Sequence, residues 1–160
     1  MNIRPLIESD FQKVASIYKK GMDTGIATFE TKVRDWNFWN QKYIESCRFV
    51  VEENDTIIGW CGLSLVSKRD VYKGIAEDTI YIDPEFQGKH IGRFLLQHLI
   101  PESEKNGFWT LYAAIFPKNK ASIALHKSCG FRIIGFREKI AQRNGIWYDN
   151  VLMERRSKLY

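Results

Sequence analysis

Apolar residues recur along this chain with two different periods, and its elements begin and end where the period changes. "IRPL" opens as a short strand halted at Pro5, and Ser9-Asp10 offers a helix N-cap. Phe11, Val14, Ala15, Ile17 and Tyr18 then share one helical face. Gly21 and Gly25 end that pattern and lead into an irregular stretch, "IATFETKV". From Asp35 to Cys47 helical spacing returns, its aromatic face made of Trp36, Phe38, Trp39 and Tyr43. "CRFVVEEN" and "TIIGWCGLSLV" are strands joined at Asn54-Asp55, a hairpin-type turn. "GIAEDTIYID" is another strand, broken by Pro84.

A helix follows "QGKHIG", with Ile91, Phe94, Leu95 and Leu99 on one face. Pro101 is expected to kink or end it, because proline lacks the amide donor and clashes with the preceding turn. "PESEKNG" can restart a helix from its leading proline. "WTLYAAIF" is a strand and "KASIALHKSC" a helix closed by Gly130. "FRIIGFREKIA" and "WYDNVLMER" are final strands around the turn Asn144-Gly145. The order is β-α-α-β-β-β-α-β-α-β-β, which predicts an α/β fold with a mixed, mostly antiparallel sheet flanked by helices. Without internal repeats or a Pro/Gly/Ser linker, residues 1–160 read as a single domain.

Composition narrows the partners. Hydrophobic residues make up 44% and charged residues 27% of the chain, a globular balance rather than a disordered one. The net charge of +5 favours anionic ligands, yet the cations are scattered apart from "SKRD" and "ERRSK". No basic stripe with interleaved aromatics points to nucleic acid. Cys47, Cys61 and Cys129 stand beside apolar or small residues with no C-x-x-C spacing, which reads as reduced thiols. "MNIRPLIESD" has no apolar core of a leader, and no apolar run reaches the roughly 18 residues of a membrane span. A soluble, cytoplasmic protein with no membrane partner is the expectation.

The strand-to-helix junction at "QGKHIG" carries the first chemical signal. Amides at a helix N-terminus lack intrahelical acceptors, and the macrodipole adds partial positive charge there. Gly88 and Gly92 let the backbone approach a ligand, while Lys89 and Arg93 add charge. Neither a P-loop nor a G-x-G-x-x-G dinucleotide loop is spelled out. On these residues alone, an anion site and a plain tight turn stand level. "AEDTIYI" carries the second signal, an acidic pair in an apolar strand. Alternation puts Glu77 and Thr79 on one face and Asp78 and Ile80 on the other, with Glu77 expected inward. The histidines, His90, His98 and His126, show no H-x-x-x-H spacing, so no metal is expected.

About thirty residues beyond the loop comes "NKASIALHKSCGF", Asn119 to Phe131. With Gln87 and Gly92 it resembles the paired signature of the GNAT N-acetyltransferase superfamily, R/Q-x-x-G-x-G/A and N-x-x-(A/S)-x-x-L-(Y/H)-x-x-x-GF. Asn119, Ser122, Leu125, His126, Gly130 and Phe131 match the second motif, and His90 departs from glycine in the first. "TFET", "R..Y", "EDTIYI", "ALHK.CGF" and "REK…..G.W.D.VLM" further resemble the phosphinothricin/methionine-sulfoximine acetyltransferase group.

The resemblance implies the GNAT fold and acetyl-CoA as co-substrate. Backbone groups of Ile80, Tyr81 and Ile82 would pair with the pantetheine arm. Gln87, Gly88, Lys89, His90, Ile91, Gly92 and Arg93 would frame the pyrophosphate, mainly through main-chain amides. Asn119 would hydrogen-bond the pantetheine, with Ser122 close by. Glu77 would be the general base that neutralises the attacking amine, and His126 either the proton donor to the departing thiolate or a packed helix-face histidine. Phe29, Arg69, Tyr72, Glu77, Thr79 and Trp147 would meet the substrate, Arg69 by pairing with a carboxylate or phosphinate. The implied reaction is direct acetyl transfer to the amine of a small amino-acid-like substrate, in a homodimer. A protein N-terminal or lysine acetyltransferase, and a non-catalytic acyl-CoA-binding module, are the alternatives.

Overall fold

The computed structural model, which describes residues 1–160, contains the strands and helices in the order expected. They are β1 (Asn2–Pro5), α1 (Phe11–Asp23), α2 (Trp36–Lys42), β2 (Arg48–Glu53), β3 (Thr56–Leu65), β4 (Ile75–Ile82), α3 (Ile91–Lys105), β5 (Thr110–Ile115), α4 (Lys120–Ser128), β6 (Arg132–Arg143) and β7 (Ile146–Arg156). The strands form one seven-stranded sheet in the order β1-β2-β3-β4-β5-β7-β6. Every neighbouring pair is antiparallel except β4 and β5. No helix is long and apolar enough to cross a membrane.

Local chemistry accounts for the turns. Asn54 and Asp55 adopt φ of 50° and 59°, so the β2–β3 turn has two left-handed residues, the conformation that matches strand twist in a two-residue hairpin. Asn144 and Gly145 repeat this between β6 and β7 at 51° and 77°. Asp35 caps α2 by accepting the Phe38 amide at 2.9 Å.

Four details depart from the pattern-based reading. Asp10 does not cap α1 with its side chain; it ends a short 3₁₀ turn, accepts the Ile7 amide and is gripped by both guanidinium arms of Arg4. The second helix stops at Lys42, because Tyr43 takes an extended conformation that buries its ring beside Trp60. Helix α3 runs through Pro101 without a break. Pro101 and Gln97, whose carbonyl loses its donor, are both exposed, so water can take the place of the missing bond. Phe94 stands 41% exposed, and Leu96 and Ile100 join Ile91, Leu95 and Leu99 in the core instead.

Helices cover both faces of the sheet. On one face Leu95, Leu96, Leu99 and Ile100 of α3 pack against Val51, Cys61, Leu63, Ala76, Leu111 and Met153. On the other, Val14, Ile17, Trp39 and Tyr43 meet Val50 and Trp60. A strand buried on both sides has no solvent face, so alternation along β4 sends side chains into two different interiors.

Candidate active site

The site begins with a failure of pairing. Strands β4 and β5 are hydrogen-bonded only at Ile75↔Thr110, Ala76↔Leu111 and Glu77↔Tyr112. Beyond Glu77 they diverge, although β4 stays paired with β3 to Ile82 and β5 with β7 to Ile115. The wedge opens into a cleft of about 950 Å³, lined by both diverging strands, the start of α3, α4 and the 24–30 stretch. The backbone edge of β4 from Asp78 onward therefore faces open space rather than a strand.

One end of the cleft is the "QGKHIG" loop. Gly88 and His90 both have positive φ, 80° and 59°, and His90 is the N-cap of α3. The amides of Gly88 through Arg93 donate to no protein acceptor; the first amide to do so is that of Phe94, bonded to the His90 carbonyl at 3.1 Å. Consecutive outward amides at a helix N-terminus form an anion cradle. Gly92 also lies close to α4: a Cβ there would stand 3.1 Å from Leu125 Cδ2, so the Leu125 side chain would have to shift by a few tenths of an ångström.

The wall of the cleft is α4. Asn119 caps it by accepting the Ser122 amide at 3.1 Å, and its own amide reaches the Ile26 carbonyl at 3.4 Å. His126 is 2% exposed, with Nδ1 at 2.7 Å from the Ser122 carbonyl and Nε2 at 2.8 Å from Asp78 Oδ2. A carbonyl only accepts, so Nδ1 carries a proton, and both ring nitrogens are engaged by protein atoms. Burial pulls the imidazolium toward neutrality, but the charge and hydrogen bond of Asp78, with the Ser122 carbonyl, outweigh it and raise the His126 pKa above its ordinary value. Asp78 Oδ1 is buried without a partner.

The opposite face of β4 carries Glu77 and Thr79 into the cleft. Glu77 is half-buried; desolvation raises its pKa, the Lys42 charge lowers it, Asp78 raises it, and the net direction is up. Tyr43 donates to Thr79 Oγ1 at 3.4 Å, and burial pushes its phenol up to about 12, so it remains a neutral donor. Phe29 lines the same wall, edge-on to Phe116 at 4.6 Å. Asn150 of β7 completes it, 8% exposed and with its carbonyl oxygen unpartnered.

The fold thus gathers Phe29, Glu77, Thr79, Ile80, Tyr81, Ile82, Gln87, Gly88, His90, Ile91, Gly92, Arg93, Asn119, Ser122 and His126 around one cleft. Lys89 does not line the cleft; its Nζ lies 5.0 Å from the ring centroid of Phe86, which does. Arg69 stacks on Tyr72 at 5.1 Å on an exposed turn, and neither lines the cleft. Trp147, 53% exposed at the tip of the β6–β7 hairpin, does not reach it either. Asp78, Lys42, Tyr43 and Asn150 line the cleft without having been singled out for it. Only Asp78 had a legible signal, the acidic pair in a strand that proves to be buried on both sides. No three His, Cys, Asp or Glu side chains are grouped to hold a metal ion.

Comparison with known proteins follows the same lines. The profile of the Acetyltransferase (GNAT) family matches residues 12–131. The phosphinothricin N-acetyltransferase of Alcaligenes faecalis is 30% identical over 159 residues, covering 96% of this chain and 81% of the relative. The L-methionine sulfoximine/L-methionine sulfone acetyltransferase of Salmonella typhimurium is 33% identical over 105 residues, 66% of this chain and 61% of the relative. A phosphinothricin acetyltransferase from Sinorhizobium meliloti, solved in complex with acetyl-CoA, superposes with a TM-score of 0.86 at 28% identity, covering 97% of this chain and 87% of that one. A ribosomal-protein-alanine N-acetyltransferase from Brucella melitensis superposes with a TM-score of 0.90 at 26% identity, covering 98% and 100%. With its sheet, its split between β4 and β5 and its anion loop all accounted for, the chain belongs to the Acetyltransferase (GNAT) family.

Proposed function

We propose that residues 1–160 act as one acetyltransferase domain that moves an acetyl group from acetyl-CoA directly to the amine of a small amino-acid-like substrate of the phosphinothricin or methionine sulfoximine type. The observation that carries this reading is Glu77, a half-buried carboxylate facing the wedge between β4 and β5, with the unpaired amides of the "QGKHIG" loop at the other end. The loop takes the pyrophosphate, and the free edge of Ile80 to Ile82 takes the pantetheine arm as a strand would. Asn119 and Ser122 sit where α4 meets that arm.

An α-amino group has a pKa of about 7.7–8.0, so much of it is protonated at neutral pH and cannot attack. Glu77, its pKa raised by desolvation, accepts that proton directly or through a water. The nitrogen lone pair then forms the new C–N bond, the thioester C–S bond breaks, and the sulfur leaves with the electron pair. With both nitrogens occupied, His126 holds α4 to β4 through Asp78. The reading includes a homodimer. It is supported by the sheet-edge arm, where Ile133, Ile134, Phe136 and Ile146 are exposed along long strands. A reducing, cytoplasmic setting fits its free thiols.

A second reading, acetylation of protein N-termini, is favoured by the close superposition on the Brucella melitensis enzyme. Thiol release from acetyl-CoA, measured across methionine sulfoximine, phosphinothricin, free amino acids and short peptides, separates the two. Turnover of the free amino-acid analogues is the expected result. Turnover of peptides alone selects the second reading, and acetyl-CoA binding without turnover of any amine selects a binding module.

A further inference from the structure

The cleft contains a cation that acetyl transfer itself leaves unused. Three cationic or protonatable side chains other than His90 line it. Arg93 stands at the α3 end, beside the unpaired amides. His126 is buried and committed to Asp78. The third is Lys42, in the last turn of α2, on the wall that also carries Glu77.

Lys42 is exposed and takes part in no ion pair; its Nζ lies 5.1 Å from the Tyr43 ring centroid. Tyr43 in turn bonds Thr79, which shares the Glu77 face of β4. Lys42 and Glu77 are therefore near enough for the cation to act on the carboxylate, yet they do not touch. A carboxylate and an ammonium that face one cleft unpaired leave two opposite charges available to a ligand. An amino acid offers two opposite charges one carbon apart. Glu30, also on this wall, is acidic and does not compete for an acid group. Arg69, the cation expected to take that role, stacks on Tyr72 outside the cleft.

We propose that Lys42 receives the acid group of the substrate, a carboxylate or phosphinate, while the substrate's amine faces Glu77. The assignment rests on the amino-acid reading above and sharpens it. In a peptide the α-carboxyl next to the reacting amine is a neutral amide, so Lys42 selects free amino acids over protein N-termini.

The test compares Lys42→Gln and Lys42→Arg with the wild type on the best acid-bearing amine of the panel and on its carboxamide. Loss of one charge-assisted hydrogen bond is expected to raise KM for the acid about 10- to 100-fold in Lys42→Gln. KM for the carboxamide should move less than about 3-fold, as for a partner that never carried charge. Acetyl-CoA KM and thermal stability stay unchanged, and Lys42→Arg recovers most of the loss. Arg69→Gln, measured alongside, leaves the acid-to-amide ratio unaltered. Equal effects on both substrates, no effect, or a selective loss in Arg69→Gln instead overturns the assignment. Wild-type turnover confined to peptides, or to amines without an acid group, removes the functional reading itself and the Lys42 assignment with it.

Discussion

Asp78 Oδ2 and His126 Nε2 lie 2.8 Å apart across the junction of β4 and α4, with side chains 0% and 3% exposed. The pair has a pH signature whose sign follows from its direction of shift. The His126 pKa is raised in the folded chain, so folding favours the imidazolium. That contribution is complete below the ordinary value of 6.5 and is lost as pH rises through the higher folded value. The melting temperature of the wild type should therefore fall as pH is raised above about 6.5, and the slope should flatten in His126→Asn. Circular-dichroism melts across that range decide it; a wild-type slope no steeper than the variant's would contradict the pairing.

The same geometry makes removal of one partner costly. Asp78→Ala leaves a buried imidazole bonded only to Ser122, and His126→Ala leaves a buried carboxylate with no partner for either oxygen. Each should destabilise by about 3 kcal/mol, the lower end for one half of a buried pair. The double variant should cost less than the sum, because the second loss removes an already orphaned group. Urea titrations of the four proteins measure the coupling.

Glu77→Gln keeps the shape of the side chain and removes its basicity. Turnover should drop about 10²- to 10⁴-fold while the dissociation constant of acetyl-CoA is nearly unchanged. In the wild type the acidic limb of kcat/KM should lie above the ordinary carboxylate value of 4.5, since desolvation raises Glu77. A wild-type rate in the variant would remove Glu77 from the chemistry.

His90 and Gly88 give opposite expectations from the same loop. His90 already sits at φ 59°, a conformation costing a side-chain-bearing residue about 1–2 kcal/mol, while glycine costs about 0.5–1 kcal/mol in unfolded-state entropy. His90→Gly should therefore stabilise by about 0 to 1.5 kcal/mol and leave acetyl-CoA binding intact. Gly88→Ala puts a methyl into open space but strains φ of 80°, and should weaken acetyl-CoA binding by displacing the amides. Isothermal titration with acetyl-CoA distinguishes the two variants.

Much of this was legible before any coordinates because the deciding interactions are local. The turns at Asn54-Asp55 and Asn144-Gly145 need residues that tolerate positive φ, and those residues are adjacent. The anion loop is a contiguous strand-loop-helix junction. What was not legible depends on distant partners. Pro101 stays inside α3 because its neighbours Leu99, Ile100 and Ser103 are anchored in the core while its lost bond faces water. Alternation separates Glu77 from Asp78, but it does not say that helices on both sides of the sheet give β4 two inward faces. Lys42 and Asn150 reach the cleft from elements separated by more than a hundred residues, and no spacing rule connects them. Insertion of β7 between β5 and β6 is likewise a matter of topology, since sequential hairpin strands keep their pairing wherever they dock.

The three rungs that join β4 to β5 also bear on what holds the molecule together. Two half-sheets meet at a short hinge, and the rest of their shared border is unpaired, the edge the proposed reading gives to acetyl-CoA. On the proposed reading its backbone-like pantetheine would act as a removable strand, and binding would add to folding stability by RT times the logarithm of its concentration over its dissociation constant. Alternation along the ladder turns the Ile80 and Ile82 amides to the free edge, so these should exchange with deuterium quickly in the free protein and slowly in the loaded one, while that of Tyr81, turned toward β3 as that of Asp83 is, and those pairing β3 with β2 barely change. An empty cleft thus leaves the sheet unfinished. On the proposed reading the fold is most complete when the enzyme is loaded, and each product release would reopen the sheet.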